Sequence, residues 1–330
     1  MRNPGAALLP SAAGRFQLLP QSAAQGMVRM NIEPTQTTVQ ALVRGAVDLR
    51  GQGGPLHGGD ARDLLDLARD AEAAGLRAVV FMDPDFSPAP LVQTLRRHEF
   101  SGRPISLLSG VELNNTVGGL NPYAVEHELM LGGRVISMPT VSAAHRIRNS
   151  APPRGWRVQA PAPHAPALEV IGADGQLRDE VRQILDLVAA HDAVLCSGGL
   201  HVAEIWPLFL AARQRGVTRL LVNDGAAIGL TELRELALFG AFIEVCVEAG
   251  LQCGACLTRT EVPMALIAAA TTRQTILVPG RTGQDGPGGR FRAAVQACLA
   301  LGYDAAEIRQ ITSDNAARLL GLAPDEGKTA

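Results

Sequence analysis

Residues 46–81 read AVDLRGQGGPLHGGDARDLLDLARDAEAAGLRAVVF, and the rhythm of this stretch decides the fold. A short β-branched run, Ala46–Leu49, leads through a Gly-rich turn into the helical pattern Asp60–Ala74. Gly75 ends that pattern, and a second apolar run, Ala78–Phe81, follows. Strand, helix and strand in this order make a parallel βα unit. Outward from here the unit recurs. Further strand runs are Ile105–Leu108 (extending towards Leu113), Arg134–Met138, Ala193–Cys196, Arg219–Val222, Phe242–Val247 and Thr275–Val278. Helical stretches such as Pro122–Leu131, Asp179–Ala190 and Thr231–Leu238 separate them. Eight such strands predict a closed (β/α)8 TIM barrel. A doubly wound sheet usually has fewer strands and a Gly-rich dinucleotide turn.

The expected organisation is one domain. Residues 1–44 mix Gly, Pro, Gln, Ser and Ala without periodicity and read as a loose leader. The barrel spans 45–322, and 323–330 is a tail. The runs starting at Arg134 and Ala193 stand farther apart than any other consecutive pair. A long Pro-rich loop, 141–176, fills that gap and carries Pro152-Pro153, Trp156 and Pro161-Ala-Pro163-His-Ala-Pro166. Long loops on a barrel's C-terminal face are commonly lids or partner contacts.

A net charge of −2 offers no basic field for nucleic acid or an anionic membrane. The most apolar window, Leu236–Val247, is broken by Glu244 and falls short of a bilayer span. Five cysteines, an odd number, do not suggest a disulfide framework, and no secretory signal is legible. The expectation is a cytoplasmic protein.

Catalytic groups of a TIM barrel stand at the C-terminal ends of its strands. Those positions hold Asp48, Arg50 and Gln52; Asp83 and Asp85; Glu112, Asn114 and Asn115; Thr140 and His145. On the later strands they hold Ser197, Gly199 and His201; Asn223 and Asp224; Glu248; and Arg281. Asp83, Glu112 and Asp224 are the candidate acids or bases. Arg50, Gln52, Asn114, His145, His201 and Arg281 are the candidate binding residues. Cys253-Gly-Ala-Cys256 has metal or redox spacing but no second pair beside it. Cys196 reads as core rather than nucleophile. The Gly-rich loop 51–59 fails the dinucleotide pattern, because Leu56 takes the place of its last glycine, and the loop 280–289 lacks a P-loop's Lys-Ser/Thr ending. An NAD-dependent reading is thereby disfavoured.

Asp48-Leu-Arg-Gly-Gln-Gly-Gly-Pro55 resembles the first-strand motif Asp-Leu-His-x-His-x-x-Pro of the amidohydrolase superfamily. Ser109-Gly-Val-Glu-Leu-Asn-Asn-Thr-Val-Gly-Gly-Leu-Asn-Pro122 and Val135-Ile-Ser-Met-Pro-Thr140 look like a small branch of it. Ser313-Asp-Asn-Ala-Ala-Arg-Leu-Leu-Gly-Leu322 is similar to its closing helix. The resemblance implies metal ligands at five places that hold Arg50, Gln52, Gly199, Asp224 and Arg281 here. A guanidinium has no lone pair to offer a metal, and glycine has no side chain. No cofactor and no metal are therefore expected. The leading expectation is a non-catalytic binding or supporting subunit, a pseudoenzyme. It would form a homo- or hetero-oligomer with a related barrel, one partner being a metal-competent paralogue. The alternative is a metal-independent hydrolase or decarboxylase of a small anionic substrate, using Arg50 and Arg281 for charge and one of the three carboxylates as base.

Overall fold

The computed structural model describes residues 8–10, 16–18, 35–52, 62–149, 165–247, 261–280 and 285–323. Eight parallel strands form the sheet: β3 Val47–Gly51, β4 Ala78–Phe81, β5 Ser106–Glu112, β6 Val135–Ser137, β7 Val194–Cys196, β8 Arg219–Val222, β9 Phe242–Val247 and β10 Thr275–Pro279. Each pairs with the next in chain order, and β10 packs against β3, so the barrel is nearly closed. The eight expected strands are all present, with ends shifted by two residues or fewer at most places. A short antiparallel pair, β1 Leu8–Pro10 and β2 Phe16–Leu18, precedes the barrel.

Helices α1 Gln36–Val43, α2 Leu64–Ala73, α3 Ala89–His98, α4 Pro122–Met130, α5 Ala144–Asn149 and α6 Asp179–Ala190 belong to the first half. α7 Val202–Gln214, α8 Leu230–Leu238, α9 Glu261–Ala270, α10 Pro287–Ala300, α11 Ala305–Arg309 and α12 Asn315–Leu320 complete the set. One expectation needs correcting. Residues 36–43, assigned to the loose leader, form α1, capped by the Thr35 side chain on Thr38 N–H. Val39, Leu42 and Val43 are buried on one helical face against α10 and α11. The polar run Gln36–Thr38 before them, and the shortness of the helix, hide the period from a composition reading. Within the long loop, Ala173-Asp174-Gly175 forms a turn. Ile171 bridges Leu177, and Gly172 N–H donates to Gln176 at 2.7 Å.

Side chains alternate along each strand between two separate apolar clusters. One joins the outer strand faces to the helices. The other contains Val47, Leu49, Val80, Val135, Cys196, Leu221 and Ile276 with Ala316, Leu319 and Leu320 of α12. The second cluster is the barrel interior, and α12 plugs it. Arg219, the first residue of β8, donates to the carbonyls of Arg318 and Leu319 at 2.8 and 2.9 Å, which places the plug at the N-terminal end. The opposite end is left to polar side chains. No described helix is long and apolar enough to cross a membrane.

Candidate functional site

Polar groups begin one layer above the apolar interior. On β9 the inward positions are Phe242, Glu244 and Cys246, and Glu244 is 2% exposed. β3 shifts register between Asp48 and Gly51. This bulge turns Arg50 inward, as bulges near active sites commonly re-aim a side chain. Its guanidinium forms an ion pair with Glu244. The other Glu244 oxygen accepts from Asn223 Nδ2 at 3.1 Å. Asn223 Oδ1 accepts Gly198 N–H at 3.0 Å, and Asn223 N–H donates to Ser197 Oγ at 3.0 Å. One polar chain thus crosses from β3 through β9 and β8 to the end of β7. Burial works against Arg50's charge, but Glu244, aided by Cys246 and Asp224, more than offsets it and raises the guanidinium pKa. The same layer pushes the Cys196 thiol well up, by burial first and then by Glu244 and Glu112. A protonated, buried thiol is a poor nucleophile, in line with its reading as core.

Asp48, Asp83 and Asp224 stand at strand ends and could each supply a counter-charge to Arg50. The ion-pair partner is instead Glu244. Asp48 turns one oxygen to Arg50's own N–H at 2.8 Å and the other towards Arg290 of α10 at 3.7 Å. Asp83, 2% exposed, accepts Asp85 N–H at 2.8 Å in a tight turn. Sequence reasoning registered Glu244 only as a charge interrupting an apolar run. Its signal was an acid flanked at two-residue spacing by Phe242 and Cys246 on a strand buried on both faces.

A second cluster joins the ends of β5 and β6. Asn114, 1% exposed, donates to Pro84 O at 3.1 Å and Thr140 Oγ at 2.9 Å. It accepts from Thr140 N–H at 2.9 Å and Ser142 N–H at 3.1 Å. Thr140 Oγ in turn donates to the buried carboxylate of Glu112. Asn114 therefore ties three loops together, its own and two others. Asn114→Ala is expected to lower the unfolding free energy by about 2–4 kcal/mol, because two backbone N–H groups lose their acceptor. Urea denaturation reads this, and a change under about 1 kcal/mol would mean that water replaces the amide.

The third cluster lies at the rim. Asp224, at a left-handed φ of 50°, pairs with Arg146 of α5 at 3.0 Å. Beside Arg146 on α5, His145 meets His201, the residue that caps α7, with ring centroids 4.9 Å apart. Burial first, and His201 second, lower the pKa of His145. Gly199 lies between the two rims, and a Cβ there would come within 2.8 Å of Thr140 O and 3.4 Å of Arg146 Cβ. Gln52 follows β3 at the same end. Arg281, Glu248 and the Cys253/Cys256 pair lie outside the described residues, so the expected convergence of Arg50 with Arg281 does too. Among the described residues no group of three or more His, Cys, Asp or Glu is arranged to hold a metal ion.

Residues 45–244, the first seven barrel strands up to Glu244, match a family of unknown function, DUF6282. The chain belongs to this family. No curated protein sequence matches this DUF6282 member. Solved structures share its fold. An amidohydrolase from Pseudomonas aeruginosa superposes with a TM-score of 0.58 at 12% identity, over 87% of this chain and 98% of that one. The probable dipeptidase PvdM from Pseudomonas aeruginosa gives 0.57 at 10% identity, over 87% and 98%. A putative 2-pyrone-4,6-dicarboxylic acid hydrolase from Pseudomonas putida gives 0.52 at 17% identity, over 84% and 97%. The DUF6282 barrel is thus an amidohydrolase-like (β/α)8 fold, as the motifs at Asp48–Pro55 and Ser313–Leu322 imply.

Proposed function

We propose that this protein is an amidohydrolase-like barrel that works without the metal centre of its structural relatives, as a binding or supporting subunit for a small anionic ligand. The ion pair between Arg50 and the buried Glu244 carries the reading. A guanidinium occupies the first-strand position where the resemblance puts a metal ligand, and its formal charge answers the one carboxylate facing it. The donor set does not fit a divalent ion. Arg50 cannot coordinate, Asp224 is held by Arg146, and position 199 has no room for a side chain.

The alternative of a metal-independent hydrolase or decarboxylase has less support. Glu112 is held by Thr140, Asp224 by Arg146, and Asp83 by the Asp85 amide. Each proposed base already serves the scaffold, and a base paired to a guanidinium accepts protons poorly. An anionic ligand is consistent with the hydrogen-bond donors gathered at the rim, His145, Arg146, Arg148 and His201. It is also consistent with the dicarboxylic acid named for one structural relative. The same proposal places the chain in the cytoplasm, beside a second barrel, like or related, as partner.

The test is elemental analysis of protein expressed with added zinc, manganese and iron, together with turnover assays on simple amides and small carboxylates. The expected result is well under one metal per chain and no turnover. A full equivalent of metal that disappears in Asp224→Ala or Glu244→Gln would sink the proposal.

A further inference from the structure

The pair of histidines at the rim has a hydrogen-bonding state that the backbone dictates. His201 is the N-cap of α7. Its Nδ1 accepts the Ala203 N–H at 3.2 Å, and Glu204 completes the capping box by accepting the His201 N–H at 3.3 Å. A backbone N–H can only donate, so His201 Nδ1 must be an acceptor. In the neutral ring the proton then sits on Nε2. His145 reaches the same state by another route. Asn149 Nδ2 lies 2.9 Å from the His145 carbonyl oxygen, which can only accept, and this fixes the amide nitrogen as donor. The same nitrogen lies 3.0 Å from His145 Nδ1, which therefore accepts as well.

Both rings thus carry their proton on Nε2, and no hydrogen bond from a described residue engages either one. A metal ion needs a lone pair at that nitrogen, which this tautomer does not supply. An oxyanion needs a donor, and here two stand side by side with centroids 4.9 Å apart. The charged groups around them are Arg146 and Arg148 on α5, Glu204 on α7, Asp224 after β8 and Glu169 beside α5. Asp224 holds Arg146 and Glu169 holds Arg148, at 3.0 and 3.2 Å. Glu204 is engaged by the His201 and Val170 N–H groups. The acids are occupied with partners of their own, and the imidazole N–H groups are not.

We propose that His145 and His201 form a two-pronged clamp for a small oxyanion, a carboxylate or phosphate group, at the rim of the barrel. Each ring gives one Nε2–H to a different oxygen. This deepens the anionic-ligand reading above and rests on it. Binding should use the neutral rings. A second proton would sit on Nδ1, facing the Ala203 N–H in His201 and the Asn149 amide in His145, so the imidazolium costs each ring its bond to the scaffold. His145 is also held low by burial and by its neighbour ring. Affinity therefore does not rise as pH falls through the imidazole range.

The experiment is calorimetric titration of the full chain with sulfate, whose charge is constant over this range, and separately with malonate, at about pH 6 and about pH 8. The variants are His145→Ala and His201→Asn. Asparagine can still cap α7 through its side-chain oxygen, so loss of binding in that variant is not loss of the helix end. The clamp requires affinities that agree within about threefold at the two pH values, and weakening by about tenfold or more in each variant, with melting temperatures within a few degrees of the parent; binding about tenfold tighter at the lower pH would overturn the neutral-donor arrangement. Anion binding that both variants retain overturns the clamp but leaves the anionic-ligand reading standing, with the site elsewhere. Failure of the parent to bind either anion overturns both. Zinc uptake abolished by either variant would mean that the rings are a metal pair and that the tautomer argument is wrong.

Discussion

Replacing Arg50 by methionine is expected to lower the unfolding free energy by about 3–5 kcal/mol, although only one side chain at the edge of the interior changes. The loss comes from what is left behind. Glu244 is 2% exposed, and without the guanidinium it holds only the Asn223 amide at 3.1 Å. An ionised carboxylate in that layer has no counter-charge, so it either stays ionised at high cost or takes up a proton. The double variant Arg50→Met with Glu244→Leu separates this account from simple loss of packing. Removing both charges replaces a desolvated pair by apolar groups in a layer that already borders Leu221, Ile276 and Val278. The double variant should recover most of the lost stability and can exceed the parent by about 1 kcal/mol or more. Chemical denaturation of the four proteins gives the coupling directly. If the double variant is as unstable as the sum of its singles, the pair is not the source of the loss.

Gly199→His, the change that would return an imidazole to a position where the resemblance implies a ligand, is expected to disrupt the rim rather than rebuild a metal site. A Cβ at 199 would stand 2.8 Å from Thr140 O, which is backbone and cannot swing aside. Arg146 and Ala143 close the remaining space at 3.4 and 3.5 Å. Its neighbour Gly198 is at φ +61°, with Met138 O only 2.3 Å from an ideal Cβ, so the turn cannot relax in that direction either. Overpacking against backbone at position 199 should cost about 3 kcal/mol or more, which lowers the melting temperature by about 4 °C or more in a chain of this size. Differential scanning calorimetry of Gly199→His and Gly199→Ala reads it. A small drop for the histidine variant together with new metal uptake would show that the turn between β7 and α7 remodels easily and that the ligand position survives.

Much of the molecule was legible in the chain itself. The strands Ala78–Phe81, Arg219–Val222 and Phe242–Val247 are short apolar runs at regular intervals, and local pattern is enough to find them. Arg50 could be singled out because flanking residues hold their register against the first-strand motif at Asp48–Pro55. Other features were hidden. Helix α1 looked like leader because its buried face is only Val39, Leu42 and Val43 among polar residues. His145 and His201 are far apart in the chain, and neither has a ligand-like neighbour in sequence. Nothing in the neighbourhood of Asn114 announces four hydrogen bonds that join its own loop to two others.

What the sequence by itself determined is the periodic alternation that makes eight βα units, and the residue types standing at the strand ends. Both are local properties, set by side-chain spacing and by the chemistry of single residues. Which of those residues meet was decided only by closing the barrel. Arg50 could have paired with Asp48, Asp83 or Asp224, each of which lies near a strand end. The bulge in β3 and the inward face of β9 gave it Glu244 instead. The tautomers of His145 and His201 likewise follow from a helix cap and an amide contact four residues along α5. The physical reason is that ion pairs and hydrogen bonds act over a few ångströms, while the groups that make them are brought together by strand register, and register belongs to the folded sheet.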